Sequence, residues 1–496
     1  MSAERFPLLR RTLVLAAGQS AMTLVEFLAV ILLVRFLAPE IWTVVALTLT
    51  VYLTAVGIGG LNIQEGIYFF YGKVDGPRRR GVVLQTAAML ATSGLIVGGL
   101  VLAARPWLGG VTDQAAPLLP WIALTVLLEL PSTCTPQALV AAERPGWASV
   151  YGTAMSGLKV VCLSTPLLLG HGLMEAAQGL AAYAALRLCV SVYLLAKTMP
   201  PGPLRIDLRL AWEQLVYTAP LALSIGSTVL NRHVDKWIVA ALIPSAFGAY
   251  VFAGQEVPLV PVLGNAMGTI LATRITHAFH SGDLTRARAY WLAATSRGAL
   301  LVGPVTVGII LCAPEAIRLF LDPVYVVAIL PFQIYSAILL HRIMAYGMIL
   351  RAAGKPRTLW FASVFLLVMN VVFSIPLTYL LGLPGTALGT LLAYIINVVF
   401  FLYCVAQVTQ SRLADVYPWR RYGLILCAAT ASAGTAWFVA SLAPDLASQL
   451  GVKLIVYAVG YWLLARALGV ARALPEVPDD APSFSSDLGA PLNAAR

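Results

Sequence analysis

The stretch TLWFASVFLLVMNVVFSIPLTYLLGLPGTALGTLLAYIINVVFFLYCVA, Thr358–Ala406, contains no Asp, Glu, Lys or Arg. A helix needs ~20 apolar residues to cross a ~30 Å hydrocarbon core, so this stretch reads as two crossings, 358–381 and 383–406, joined by a tight turn at Gly382. The rest of the chain follows the same pattern. Of 496 residues, 59% are hydrophobic and only 11% charged. A soluble protein would be about a quarter charged and could not hide this much apolar surface. The composition excludes a cytosolic enzyme, a nucleic-acid-binding module and a disulfide-built secreted domain. It predicts an all-α polytopic membrane protein.

Cutting at polar, Pro- and Gly-containing interruptions gives about 14 transmembrane helices, the other twelve near 12–34, 41–64, 81–104, 117–138, 148–169, 174–196, 213–241, 248–272, 289–312, 327–350, 422–443 and 450–468. The first is too long for a signal-peptide core and lacks a small-residue cleavage site, so it is expected to stay. The net charge of +11 is explained by position. Basic residues crowd alternate loops: Arg5, Arg10 and Arg11; Lys73 and Arg78–Arg80; Arg144; Lys197, Arg205 and Arg209; Arg274, Arg286 and Arg288; Arg351, Lys355 and Arg357; Arg412, Arg420 and Arg421. The intervening loops hold only Arg35, Arg105, Arg318 and Lys453. The positive-inside bias therefore predicts that both termini are cytoplasmic. The six cysteines fall in or beside apolar segments without metal-ligand spacing and read as small buried hydrophobes. Trp107, Trp121, Trp147 and Trp291 near span ends read as interfacial anchors.

An internal repeat organises the spans. AAERP at Ala141–Pro145 returns as AAGKP at Ala352–Pro356, and the same offset carries Ala182–Tyr183 onto Ala393–Tyr394. LAPEIW at Leu37–Trp42 resembles LIPSAF at Leu242–Phe247. Both offsets correspond to six spans, an even number, so the copies run parallel and form two lobes around a central cavity. The expected units are an N-terminal lobe (1–200), a C-terminal lobe (201–410), two extra helices (411–470) and a Pro-, Ser- and Asp-rich disordered tail (471–496).

LLVRFLAPEIWTVVAL (Leu32–Leu47), LVYTAPLALSIGSTVLNRHVDKWIVAALIPSAFGAYVFAG (Leu215–Gly254), HSGDLTRAR (His280–Arg288) and RAAGKPR (Arg351–Arg357) resemble the polysaccharide-transporter branch of the multidrug/oligosaccharidyl-lipid/polysaccharide (MOP) exporter superfamily, the Wzx-type flippases. Asp235-Lys236 followed by Pro244 and Gly248-Ala249-Tyr250 is the most specific part. The resemblance implies two parallel, MATE-like six-helix lobes plus two C-terminal helices in a bacterial inner membrane. It implies alternating-access translocation of an undecaprenyl-pyrophosphate-linked oligosaccharide, with membrane lipids, a polysaccharide polymerase and glycosyltransferases as further partners. It implies no nucleic acid and no cofactor beyond H⁺ or Na⁺ coupling.

Ionisable groups inside spans are costly, ~2.5–3.5 kcal/mol each on insertion scales, and so mark cavities or one another. The basic ones are Lys159, Arg187, Arg232, Lys236, Arg297 and Arg342; the acidic ones are Glu26, Glu65, Glu129, Asp235 and Glu256. On the seventh span Ser224, Thr228, Arg232 and Asp235 fall within ~80°, flanked by Asn231 and Lys236. One reading is a cationic strip for pyrophosphate or an acidic sugar, with Asp235 holding Arg232 or Lys236; the other is a self-neutralising Arg232–Asp235 pair with Lys236 reaching outward. Lys159, Arg187, Arg297 and Arg342 are further candidates for cargo contact. Thr12, Gln19, Thr23 and Glu26 line one stripe within ~60° of the first span. Glu26, with Glu129 and Glu256, is a candidate for ion coupling, unless it pairs with Lys159 or Arg187. Pro258 and Pro261 break the eighth span and are candidate gating positions. His341 reads as a packed or cavity histidine.

Three other functions compete. A lipid II flippase is the other close relative, and the sequence does not separate it from a polysaccharide flippase. A cation-coupled multidrug exporter would favour twelve spans and an acidic cavity. An integral membrane glycosyltransferase or ligase would need a carboxylate or metal motif on an outer loop, and no DxD or HExxH is present.

Overall fold

A computed structural model describes residues 22–110, 112–202, 205–258, 274–343 and 346–470, without the side chains at 220, 221, 342 and 356. Thr12, Gln19, Pro261 and the predicted tail lie outside these residues. All described secondary structure is helical. The main helices are α1 (22–36), α2 (Pro39–Gly60), α3 (Arg79–Ala103), α4 (Leu119–Glu129), α5 (Pro145–Leu168), α6 (Leu173–Thr198), α7 (Leu208–Leu242), α8 (Phe247–Ala253), α9 (Leu284–Phe320), α10 (Ile329–Ile338), α11 (Pro356–Leu381), α12 (Leu383–Val408), α13 (Trp419–Ala440) and α14 (Leu446–Ala467). Nine helices among the described residues are long and apolar enough to cross a membrane. With Leu95, Ile96 and Leu100 on α3, Val368 and Val372 on α11, and Leu454 and Ile455 on α14 all exposed, the outer surface is apolar. The chain is a multi-pass membrane protein.

The starts of these helices are written in the sequence. Proline occupies the first turn of α2, α5, α11 and α12, where its missing N–H costs nothing. Asp207, Asp283 and Asp445 cap α7, α9 and α14 by accepting first-turn backbone N–H groups. Between α11 and α12 the turn needs the left-handed region, and Gly382 supplies it at φ 66°.

The duplication is visible as matched geometry. Ala142, Glu143 and Arg144 donate backbone bonds to Ala138, Val140 and Leu139 at 2.9, 2.9 and 2.8 Å. At the repeat offset, Ala353, Gly354 and Lys355 donate to Ile349, Arg351 and Leu350 at 2.9, 3.0 and 2.9 Å. Glu143 and Gly354 both have positive φ, 59° and 68°. The fourth helix of each copy also breaks the same way, into a 3₁₀ turn (Leu130–Cys134 after α4, Leu339–Ile343 after α10) followed by a short helix (Thr135–Ala141, Tyr346–Ala352). In the first lobe α6 packs on α4 and α5, and α3 on α4; in the second α7 packs on α11, α11 on α12, and α10 on α12 and α9. α13 and α14 pair with one another against α9.

The lobes meet unequally at their two ends. At the expected outer end, one apolar core runs through both lobes, with Leu33, Trp42 and Val45 from one and Val239, Phe247, Tyr250 and Tyr325 from the other. There Trp42 Nε1 donates to the Gly248 carbonyl at 2.9 Å. A Cβ on Gly248 would stand 2.5 Å from Thr43 Oγ1 and 3.1 Å from Thr43 Cα, so a glycine is needed for this approach. At the expected cytoplasmic end the cores are separate: Leu139, Ala148 and Tyr151 in one lobe, Trp291, Ile349 and Leu402 in the other. The crossing contacts there are mixed: Gln85 donates to Gln214 at 3.1 Å and Gln214 to Thr86 at 2.7 Å, while Tyr217 stacks on Phe69 at 4.8 Å and meets Phe70 edge to face at 5.6 Å.

Three expectations are corrected. Lys453, assigned to an outer loop, lies buried in α14 and bonds Glu315 of α9 at 2.7 Å. Trp291 is fully buried, its indole donating to Val416 O at 2.9 Å, because α9 starts five residues before the predicted span and puts Trp291 inside the lobe. Cys134 and Cys312 are buried, but Cys189 and Cys427 face outward, where the apolar surface tolerates a thiol as readily as a core does.

Candidate functional site

At 35 residues, α7 is long enough to cross and project beyond the apolar layer, and it packs against helices of both lobes. Arg232 and Lys236, one turn apart, project from one face of it into a cavity of 280 Å³. The first lobe lines the opposite side with Thr23, Glu26 and Phe27 of α1, Tyr52 and Leu53 of α2, and Lys159 of α5. The segment after α8 closes it with Gly254, Gln255 and Glu256. Arg232 and Lys236 also border a smaller cavity of 40 Å³ whose far wall is Tyr335, Thr390 and Tyr394. The two cations therefore form a ridge between the lobes. A Cβ on Gly254 would stand 3.5 Å from Lys236 Cε, so the lysine stem runs past the end of α8 with room for a glycine there.

Glu26 and Lys159 meet on this first-lobe wall at 2.6 Å, with Ser156 donating to Glu26 at 3.5 Å. Of the alternatives for Glu26, the structure shows the ion pair with Lys159. Lys236 donates to the Arg232 carbonyl at 2.9 Å and lies 3.9 Å from Asp235. Neither an Arg232–Asp235 pair nor an outward-reaching Lys236 is formed. Asp235 is 2% exposed and points behind the cavity wall, where Tyr250 donates to it at 3.4 Å. A helix turns ~100° per residue, so Asp235 and Lys236 cannot share a direction.

Other candidates stand elsewhere. Arg187 and Glu129 are not cavity groups; they form a buried ion pair inside the first lobe. Glu129 also accepts from Tyr52 at 2.5 Å and Tyr183 at 3.3 Å, and Arg187 donates to Tyr183 at 2.8 Å. Taking two charges out of water costs several kcal/mol each, and the two hydroxyls satisfy the remaining lone pairs. In the matching region of the second lobe His341 meets Tyr394 with ring centroids 4.6 Å apart and planes tilted by 35°. Asn231 belongs to a neutral network there, donating to Tyr394 at 3.3 Å and accepting from Asn370 at 3.0 Å, while Ser374 and Thr390 donate to Asn370 at 2.7 and 3.1 Å. Arg297 is half-buried on α9 and lines neither cavity. Arg342 lies in the 3₁₀ turn after α10, its side chain outside the description. α8 ends at Ala253, before Pro258, which is buried in the unwound segment; Pro261 lies outside the described residues.

The cavity thus gathers Lys159, Arg232, Lys236, Glu26 and Glu256 and leaves Arg187, Glu129, Asn231 and Arg297 out. The sequence reading missed Tyr250 and Tyr335 behind the ridge and the Glu315–Lys453 pair. Lys453 was counted with the outer loops although it falls inside the predicted span 450–468; tyrosines in spans carry no mark of which partner they meet. Among the described residues no three His, Cys, Asp or Glu side chains cluster as metal ligands would.

No protein-family model matches this chain, and no curated protein does. Solved structures do resemble it. The lipid II flippase MurJ in an inward closed conformation aligns with 92% of this chain and 99% of its own, at TM-score 0.73 and 13% identity. An inward-facing multidrug resistance MATE family transporter of the MOP superfamily aligns with 78% of this chain and 96% of its own, at TM-score 0.63 and 17% identity. A MOP superfamily transporter from Pyrococcus furiosus, described as having a binding pocket of reverse polarity, aligns with 82% and 96% at TM-score 0.57 and 17% identity. The chain shares the fold of these transporters.

Proposed function

We propose that this chain is a flippase, not an enzyme, that carries a lipid-linked anionic oligosaccharide, of the undecaprenyl-pyrophosphate class, across a bacterial inner membrane by alternating access. The observation that carries the reading is the Arg232–Lys236 ridge in a cavity between two lobes. A pyrophosphate diester presents paired anionic oxygens to such a ridge, and a guanidinium binds them with two parallel N–H bonds. The apolar remainder of the wall, with Leu33, Leu49, Leu53, Val160 and Leu163, suits a lipid or sugar face better than water. The alignment with a lipid II flippase over 92% of this chain, against 78% for the multidrug transporter, supports this over a drug exporter. In this reading the chain crosses the membrane fourteen times with both ends cytoplasmic, and its lobes span 1–200 and 201–410. Cation coupling at Glu26 or Glu256 remains part of the reading; Glu129, held by Arg187, serves as a structural anchor. Pro258 in the unwound segment marks the gate.

Complementation tests it. In a strain lacking its own flippase, the wild-type chain restores surface polysaccharide, and Arg232→Ala with Lys236→Ala abolishes that rescue at unchanged membrane protein level. Full rescue by the double variant would remove the cationic ridge from the mechanism.

A further inference from the structure

Asp235 has a carboxylate that its surroundings only half satisfy. It is 2% exposed, yet Oδ1 accepts no hydrogen bond and Oδ2 accepts a single long one from Tyr250 at 3.4 Å. Its cation, Lys236, is 3.9 Å away and gives its short bond to the Arg232 carbonyl at 2.9 Å. Glu26, by contrast, meets its lysine at 2.6 Å. A buried ionised carboxylate is stable only when closely paired and bonded on both oxygens, and this one has a long ion pair and one oxygen without a hydrogen bond. It is, however, connected to the cavity. Tyr250 OH lies 3.0 Å from Tyr335 OH, and Tyr335 lines the smaller cavity. The rings meet edge to face at 5.8 Å, which holds the two hydroxyls in line.

We propose that Asp235 is a proton-binding site, fed from the cavity through the hydroxyls of Tyr335 and Tyr250, and that its protonation frees Lys236 to hold an anionic ligand. A proton from cavity water enters on Tyr335, Tyr335 and Tyr250 each pass one on, and Asp235 ends as a neutral carboxylic acid. No bond other than O–H is made or broken. Lys236 then loses the charge of the carboxylate 3.9 Å away, and the ligand's phosphate oxygens take that place. The proposal rests on the anionic-cargo reading for the ligand and on this geometry alone for the proton.

Charged and titratable groups around Asp235 come from several helices. α7 contributes Arg232, His233 and Lys236, α8 Tyr250, α10 Tyr335 and α12 Tyr394; Glu256 follows α8, and Tyr52 of α2 with Glu26 and Lys159 stands across the larger cavity. α11 brings only the uncharged Asn370. Among the described residues the lining holds three cations against Glu26 and Glu256, and the ionised Asp235 behind it cancels the excess. Protonation restores it. Proton and anion therefore bind together, the reverse of an exchange in which one displaces the other.

The test uses the full chain in lipid nanodiscs and a short-chain polyprenyl-pyrophosphoryl-N-acetylglucosamine, a diester whose phosphates stay ionised across the pH range. Calorimetry in two buffers of different ionisation heat counts the protons. Wild type should take up about one proton per bound probe, and its affinity should rise about tenfold for each unit that pH falls above the site's midpoint. Asp235→Asn should bind with no uptake and with pH-independent affinity. Tyr335→Phe should keep the proton count but slow the uptake. Binding without proton uptake in wild type, or uptake retained in Asp235→Asn, would overturn the proposal; the wild-type count decides even if the variant fails to fold. Infrared difference spectra on acidification without probe provide the separate arm. A carboxylic-acid carbonyl band lost in Asp235→Asn upholds the proton site, and its absence from wild type overturns it. No probe binding alongside that band would instead overturn the anionic-cargo reading.

Discussion

Glu129 and Arg187 show how a charge in an apolar span is to be judged by its partner. Both were candidates for cargo or ion contact because membranes exclude unpaired charge, yet they neutralise each other inside one lobe. Removing one partner leaves the other buried and bare, so Arg187→Ala should lower stability by ~3–5 kcal/mol, whereas Arg187→Met with Glu129→Gln should recover most of it. Thermal unfolding followed by tryptophan fluorescence in detergent checks this; equal melting of the single and double variants would contradict it. Asp445, capping α14 in a solvent-facing loop, gives a pH dependence. Its carboxylate accepts from the Ser448 hydroxyl and N–H, and these bonds hold its pKa below the usual carboxylate value. A depressed folded-state pKa means that the cap contributes fully above the ordinary carboxylate range and is lost as pH falls through the depressed value. Protection of the Ser448 amide against hydrogen exchange should therefore fall on acidification in wild type and be low at every pH in Asp445→Ala.

At the scale of elements, the repeat was legible because helix-ending turns have strict backbone demands: AAERP and AAGKP make the same hydrogen bonds with a left-handed residue at the same place. Span order was legible too, since apolar length and proline at the first turn are local properties. Pairings between helices far apart in sequence were not, because a Glu315 on α9 and a Lys453 on α14 look alike whether they face each other or water. That pair ties the C-terminal hairpin to α9, so Lys453→Met should loosen it and raise proteolysis in the α13–α14 loop, with Glu315→Leu/Lys453→Met restoring resistance. The α2–α8 contact makes a second prediction. Gly248→Val would drive a side chain into Thr43 and disfavour closure of the expected outer end. A cysteine placed at Val251, which lines the cavity, should react faster with an impermeant thiol reagent from outside in Gly248→Val than in an otherwise wild-type background. Unchanged labelling would mean that this contact does not limit access.

Across the whole molecule, the mixed apolar core at one end and the separate cores joined by glutamines at the other make the two closures unequal. Breaking Gln85–Gln214 and Gln214–Thr86 exchanges hydrogen bonds for water at ~0.5–1.5 kcal/mol each, but that end also holds Tyr217 against Phe69 and Phe70, so opening either end exposes aromatic surface. Of the cavity, the sequence revealed which charges sit in the spans but not which side of a helix each faces. Arg232 and Lys236 were found because a 35-residue helix keeps i, i+4 positions on one face; Asp235 was misplaced because one residue's rotation sends it behind the wall. The central claim is that an anionic lipid-linked sugar passes this ridge. Proteoliposomes loaded with a fluorescent polyprenyl-pyrophosphoryl oligosaccharide, assayed for its exposure on the opposite leaflet, test it most directly. Wild type should move the probe between leaflets, and Arg232→Ala/Lys236→Ala should reduce the rate to that of protein-free vesicles. Equal rates for the double variant and wild type, or no movement by wild type, would contradict the account.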